Sequence, residues 1–83
     1  MDTHSWLVNK FGDEVVNLEL VAKELLGKTE RQFTRIGEKA GTPPPWPYFK
    51  LARSAPRMCR MRDVAQALDS QADQAARELQ AVQ

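Results

Sequence analysis

Four of the five prolines in this chain of 83 residues lie within one segment, Pro43 to Pro47. Proline has no amide hydrogen to donate and biases the preceding residue towards extended conformations, so this segment is excluded from a regular helix or a central strand. We therefore predict a stiff connector, which we call the proline connector. A chain of this length supports one small core, so we expect a single domain over residues 1–83.

Two short helices are predicted before the proline connector. The first spans about 18–26, where apolar residues recur at helical spacing between an N-cap at Asn17 and a C-terminal cap at Gly27. The second spans about 30–40 and is preceded by a capping box, Thr29 to Gln32. Two helices joined by a tight turn containing glycine are typical of a helix-turn-helix, and also of αα-hairpins that bind no nucleic acid.

The remaining segments predict three further features. Residues 1–16 form an N-terminal packing extension, in which Val15-Val16 is a very short extended stretch. Residues 48–51 and 58–61 flank a loop with turn-forming residues and predict a small antiparallel hairpin. From residue 62 the chain lacks glycine and proline, which predicts a long final helix over 62–82. The fold class predicted is mainly α with a small β-hairpin, in the element order of a winged helix-turn-helix, with helix-turn-helix and wing in 17–61 and the C-terminal helix in 62–83.

Charge is segregated along the chain, although the formal net charge is only +1. The segment 28–62 holds nine basic and two acidic residues, a local charge of +7, whereas the two ends together carry −6. This segregation gives one positive face that suits a polyanion, and acidic ends that limit non-specific binding. The alternative is an ordinary solvated charged face.

The basic residues fall where a winged helix-turn-helix contacts DNA. Arginine and glutamine side chains match guanine and adenine edges in the major groove, and they project from the polar side of the second helix. The start of that helix suits a phosphate, and the hairpin loop suits backbone contacts or a narrow minor groove. The predicted DNA-binding residues are Lys28, Thr29, Arg31, Gln32, Thr34, Arg35, Lys39, Arg53, Ser54 and Arg57.

The final helix has a weak heptad stripe that extends beyond what a small core can cover. Its outer part is the predicted contact with another copy of the chain or with a protein partner, at residues Leu68, Ala72, Ala75 and Leu79.

Enzyme chemistry is not predicted. One cysteine and one histidine exclude an intramolecular disulphide and a zinc site; we expect Cys59 to be a buried strand residue and His4 an exposed side chain. Trp46 is expected to cover the core rather than to stack on bases. No nucleophile, base and orienting group can be assembled, so we expect no catalytic residue, metal or cofactor. We also expect no signal peptide, no membrane span and a reducing, cytoplasmic compartment.

Five segments are distinctive by their order and spacing: Leu18 to Gly27, Thr29 to Gly41, Pro45 to Leu51, Ser54 to Pro56 and Arg62 to Asp69. Over about residues 6–71 they resemble the pyocin activator family and the small excisionases of prophages, which share the winged-helix plan. The proline connector is longer than the family's pattern, and the hairpin loop is shorter by a residue or two.

This resemblance implies a DNA-binding protein of prophage origin in the bacterial cytoplasm, associated with the nucleoid. Excisionases of this type are recombination directionality factors, which bind repeated sites beside an attachment sequence, bend the DNA and recruit the phage integrase. The family's recognition helix corresponds to Glu30 to Ala40. Two alternatives remain open: a transcriptional activator without a recombination role, and a protein-interaction or antirepressor module whose basic face is incidental.

Overall fold

The computed structural model describes residues 2–38 and 43–82. Within them lie four helices and one three-stranded antiparallel sheet, which confirms the prediction of a mainly helical fold with a small hairpin and a long C-terminal helix. The elements are α1 (Thr3–Phe11), β1 (Val15–Asn17), α2 (Leu18–Leu26), α3 (Glu30–Glu38), β2 (Phe49–Lys50), β3 (Arg57–Arg60) and α4 (Met61–Val82).

The predicted signals at both ends of α2 and at the start of α3 are confirmed. The Asn17 side chain accepts a hydrogen bond from Glu19 N at 2.8 Å, and Gly27 ends α2 in the left-handed conformation, with φ of 66°. In the capping box, Thr29 N donates to Gln32 Oε1 at 2.9 Å, and Gln32 N donates to Thr29 Oγ1 at 3.1 Å. The predicted end of α3, residues 39–40, lies outside the described residues.

The predicted N-terminal packing extension contains a helix that the sequence analysis missed. Asp2 caps α1 by accepting from Ser5 N at 2.7 Å, and this backbone hydrogen bond lowers the pKa of the Asp2 carboxyl. Helix α1 runs antiparallel to α4, because Thr3 bonds to Asp69 at 2.7 Å while Glu14, beyond the other end of α1, accepts from Met61 N at 2.7 Å.

Strand β3 lies at the centre of the sheet, between β1 and β2. The predicted hairpin is confirmed, but its strand boundaries differ. Strand β2 is Phe49–Lys50 rather than 48–51, so Leu51, predicted in the strand, lies in the loop. Arg57, predicted in the loop, is the first residue of β3 because it pairs with Lys50; Met61, predicted in the strand, begins α4. On the other edge, the predicted extended stretch is β1, with Val16 paired to Cys59. A third strand and the helices stabilise a hairpin that would be marginal alone.

The core joins the parts of the chain that precede and follow the proline connector. Phe33 of α3 is completely buried, and its ring centroid lies 4.8 Å from that of Trp46 and 5.9 Å from that of Tyr48. Trp46 is only 2% exposed, as expected of a residue that covers the core. The buried apolar residues are Leu7, Val16, Leu18, Val21, Ala22, Phe33, Trp46, Cys59, Met61, Val64 and Ala65.

Cys59 is a buried strand residue, as predicted. Its thiol donates a weak hydrogen bond to the carbonyl oxygen of Val16 at 3.7 Å. Burial raises the pKa of Cys59 to about 11, since a thiolate would lose its hydration there. The thiol is therefore neutral at physiological pH.

Only the first part of α4 packs on the core. Met61 and Val64 are completely buried and Ala65 nearly so, whereas every residue from Asp69 to Gln80 is exposed. We call residues 69–80 the overhang. At 1.5 Å per residue, it continues α4 by about 18 Å beyond its packed part.

Replacing Phe33 by alanine is expected to cost about 3–5 kcal/mol of unfolding free energy, since it removes a fully buried ring that joins α3 to the connector. Urea unfolding followed by circular dichroism measures this. The matched control is Leu79→Ala, whose side chain is 64% exposed and should change stability by less than about 0.5 kcal/mol. Similar losses for both variants would contradict the assigned core.

The raised pKa of Cys59 predicts a pH dependence of stability. Folding favours the protonated thiol, so this contribution is complete below the unfolded-chain pKa of about 9 and is lost as the pH rises to about 11. The unfolding free energy should therefore fall more steeply over that range in the parent than in Cys59→Ala. Urea titrations of both proteins at a series of pH values test this, and parallel curves would contradict it.

Candidate nucleic-acid interface

The turn between α2 and α3 is fixed by backbone hydrogen bonds. Gly27 N donates to Lys23 O at 3.0 Å, and Lys28 N donates to Ala22 O at 3.4 Å, which closes the end of α2. Lys28 and Thr29 follow with exposed side chains at the N-terminus of α3, where the helix dipole favours an anion. The turn therefore places a cation and a hydroxyl at a helix start.

The outward face of α3 carries two arginines. Arg31 and Arg35 are one helical turn apart, on the side opposite the buried Phe33, and both are exposed. Glu38 is exposed on the same side, so this face is not purely basic. This face of α3 therefore presents two guanidinium groups to solvent.

Two other predicted DNA-binding side chains on α3 already form local hydrogen bonds. The Gln32 side-chain oxygen accepts from Thr29 N, which leaves its NH₂ group as the donor towards solvent. The Thr34 hydroxyl donates to Arg31 O at 3.0 Å. Both residues are therefore less available to an external partner than Arg31 and Arg35.

The loop of the hairpin, residues 51–56, contains a closed turn. Ala55 N donates to Ala52 O at 3.1 Å, and this bond places Arg53 and Ser54 at the two central positions of the turn. Both side chains are exposed. The loop thus presents one guanidinium group and one hydroxyl at its tip.

An ion pair connects α3 to the base of the hairpin. Arg57 Nη1 donates to Glu30 Oε1 at 3.0 Å, between side chains that are 38% and 28% exposed. Lys50, the strand partner of Arg57, is exposed beside it. Lys50 was missed in the sequence analysis, because the predicted strands left Arg57 in the loop and so did not give the pairing of Lys50 with Arg57.

The positive charge of segment 28–62 is largely uncompensated. Arg57 pairs with Glu30, and Arg60 pairs with Asp63 at 2.8 Å. Lys39, a predicted DNA-binding residue, lies outside the described residues. Within residues 2–38 and 43–82, the basic side chains of this segment that form no ion pair are those of Lys28, Arg31, Arg35, Lys50, Arg53 and Arg62.

The predicted self-association stripe is divided between the core and solvent. Leu68 is half-buried against the core, whereas Ala72, Ala75 and Leu79 lie exposed on the overhang. The structure therefore places the stripe on one continuous helix that packs on the domain only at its beginning.

Residues 2–38 and 43–82 contain neither a metal-binding cluster nor a membrane-spanning helix. No group of three or more histidine, cysteine, aspartate or glutamate side chains is arranged to hold a metal ion there. Among the same residues, no helix is both long and apolar enough to cross a membrane. His4 is exposed, as expected, and contacts Glu14.

The ion pair between Glu30 and Arg57 is expected to contribute about 0.5–1 kcal/mol at low salt, because both side chains are partly exposed. A double-mutant cycle with Glu30→Gln and Arg57→Gln, read by urea unfolding, measures this coupling. The control cycle combines Glu30→Gln with Arg60→Gln and should show no coupling, since Arg60 pairs with Asp63. Coupling that does not weaken as salt rises would contradict the assigned pair.

Comparison with known proteins gives no match: no family model matches the sequence, and no curated protein or solved structure matches the chain. The resemblance to the pyocin activator family and the small excisionases therefore stays a prediction.

Proposed function

We propose that this protein binds specific sequences of double-stranded DNA through a winged helix-turn-helix. In this proposal α2 and α3 are the helix-turn-helix, α3 is the recognition helix, and the β2–β3 hairpin is the wing. The observation that carries the proposal is the ion pair of Glu30 with Arg57, which holds the base of the wing beside the start of α3. A duplex that meets one of these elements therefore lies near the other.

Each element would have its own task on DNA. Arg31 and Arg35 point away from the core and have the forked geometry that reads guanine in the major groove. Lys28 and Lys50 would contact phosphates on either side of the Glu30–Arg57 pair, and Arg53 would contact the backbone from the wing tip. Gln32, Thr34 and Lys39 are retained as further candidates on the recognition helix.

The biological role proposed is that of an excisionase, a recombination directionality factor of prophage origin, that also regulates transcription. The excisionase role is supported by the sequence resemblance together with the overhang. A single short recognition helix buries little surface, so useful specificity requires several copies bound side by side. The overhang would contact the neighbouring copy or the phage integrase, and the bound DNA would bend. Such a protein would act in the bacterial cytoplasm, on the nucleoid.

A second candidate is a protein-interaction module. The overhang favours it, because Leu79 is 64% exposed and all twelve residues from Asp69 to Gln80 of α4 are exposed. In that case α4 would pair with a partner protein, and the basic face would be solvated. A transcriptional activator without a recombination role would use the same DNA-binding surface and differs only in the site that it occupies.

A footprint of the purified protein distinguishes these functions. The DNA carries the upstream region of the protein's own gene and the nearest phage attachment site. The footprint is recorded at two salt concentrations. Regularly spaced protected repeats beside the attachment site are expected of an excisionase, and protection confined to a promoter is expected of an activator. Binding should weaken steeply with salt, because phosphate contacts release counterions. No protection at either salt would favour the protein-interaction module.

Arg35→Ala should cost about 1–3 kcal/mol of binding free energy on the protected site, since a bidentate contact to guanine is lost. Titration against single-base variants of the site should show relaxed specificity at one position. The control is Lys10→Ala, which removes an exposed cation from α1, outside the predicted DNA-binding residues. Unchanged affinity and specificity of Arg35→Ala across the site variants would contradict its role in reading a base.

A further inference from the structure

The loop of the β2–β3 hairpin begins with an exposed leucine. Leu51 directly follows β2 and is 76% exposed, more than any other large hydrophobic side chain in the described residues. Leu79 is 64% exposed, and Trp6, Leu20 and Leu26 are all less than half exposed. An apolar side chain in this position gains nothing from folding, because burial is what makes such a side chain stabilising.

The loop holds Leu51 outward. Lys50 is paired with Arg57 in the sheet, and the hydrogen bond from Ala55 N to Ala52 O closes the turn just beyond Leu51. Pro56 further restricts the returning strand. Leu51 is thus held between a paired strand end and a closed turn, so it is presented at a defined place.

The surroundings of Leu51 are cationic. Residues 39–62 contain six basic residues and no aspartate or glutamate. Lys50 precedes Leu51 directly, Arg53 follows two residues later, and neither forms an ion pair within the described chain. Glu30, the carboxylate that contacts the hairpin, already pairs with Arg57. A surface that covers Leu51 must therefore be anionic and must offer an apolar crevice a few ångströms from its negative charges.

The minor groove of DNA has both properties. It is about 6 Å wide, its walls are sugar rings, and phosphates line its two edges. Proteins that bend DNA insert single apolar side chains between base steps from this groove. From Lys50 to Arg53 the chain spans at most about 10 Å, so two cations and an apolar side chain lie within reach of one groove.

We infer that Leu51 is an apolar wedge that enters the minor groove and kinks the DNA, with Lys50 and Arg53 contacting the flanking phosphates. This inference rests on the proposed DNA-binding function and assigns the bend to one side chain. It differs from a wing that only contacts the backbone, because a wedge partly unstacks one base step.

Leu51→Ala tests the wedge, and Leu20→Ala is its control. Leu20 is a 45% exposed leucine of α2 that lies beside Lys10 and Phe11 of α1 and is not a predicted DNA-binding or partner-contact residue. Both substitutions should leave the thermal unfolding midpoint unchanged, because neither side chain is in the core. Leu51→Met keeps an apolar wedge and should keep the parent's behaviour.

Three quantities are measured on the protected site: affinity, the bend angle from energy transfer between dyes at the two DNA ends, and fluorescence of 2-aminopurine placed at successive steps. Leu51→Ala should lose about tenfold in affinity, as expected for one leucine side chain returned to water. It should also lose most of the bend and the 2-aminopurine signal. Leu20→Ala and Leu51→Met should keep the bend and the signal.

Salt dependence separates the wedge from the cations beside it. Arg53→Ala should reduce the slope of log affinity against log salt by about one, since one phosphate contact is lost. Leu51→Ala should leave this slope unchanged, because no charge is removed. A changed slope in Leu51→Ala would overturn the assignment of an uncharged contact.

Other outcomes overturn the inference in distinguishable ways. If the parent binds and bends DNA and Leu51→Ala does so equally, the wedge is wrong while the proposed function stands. If the parent binds no DNA at any salt, the proposed function fails first. If instead the parent binds phosphatidylglycerol vesicles in a manner that depends on Leu51, the covering surface is a membrane and the wedge is again wrong.

Discussion

The packing of Phe33 against Trp46 is the contact on which the rest of the structure depends. The proline connector has few backbone donors, so it cannot be held by a regular ladder of hydrogen bonds. It is held instead by an aromatic ring placed on the buried side of α3. This contact fixes where the chain returns, and therefore where the hairpin lies relative to α3. The same ring that closes the core thus sets the geometry of the candidate interface.

The ion pair of Glu30 with Arg57 contributes little to the free energy of unfolding, but it helps to orient the hairpin relative to α3. A partly exposed pair contributes little because water and salt screen it. Its position matters more, since it joins the start of α3 to the base of the hairpin. The pair also neutralises one cation of the hairpin and leaves Lys50 and Arg53 uncompensated. The unpaired positive charge therefore lies on the exposed face of α3 and on the exposed side chains of the hairpin.

Local signals in the sequence predicted α2, α3, the hairpin and α4, because caps, glycines and prolines act over a few residues. They failed for α1, although Asp2 and Gly12 are its caps. Only Leu7 of this short helix is fully buried, and Trp6 is 47% exposed, so its sequence shows no clear apolar stripe. The pairing of β1 with β3 depends on residues more than forty positions apart, and no local pattern encodes it. The site follows the same division: Arg31 and Arg35 were found from helical spacing, whereas Lys50 and the Glu30–Arg57 pair required tertiary structure.

The overhang poses a physical question of its own. An isolated helix of twelve residues is marginal in water, so residues 69–80 remain helical because they continue a helix whose first turns are packed. They add nothing to the core, since every side chain from Asp69 to Gln80 is exposed. The proposed DNA complex gives this segment a use. Copies that bind adjacent sites are held at high local concentration, and even a weak contact between a helix and its neighbour then becomes favourable. The small interface of one recognition helix and the unpacked end of α4 would in that case have a single explanation, which is binding as an array.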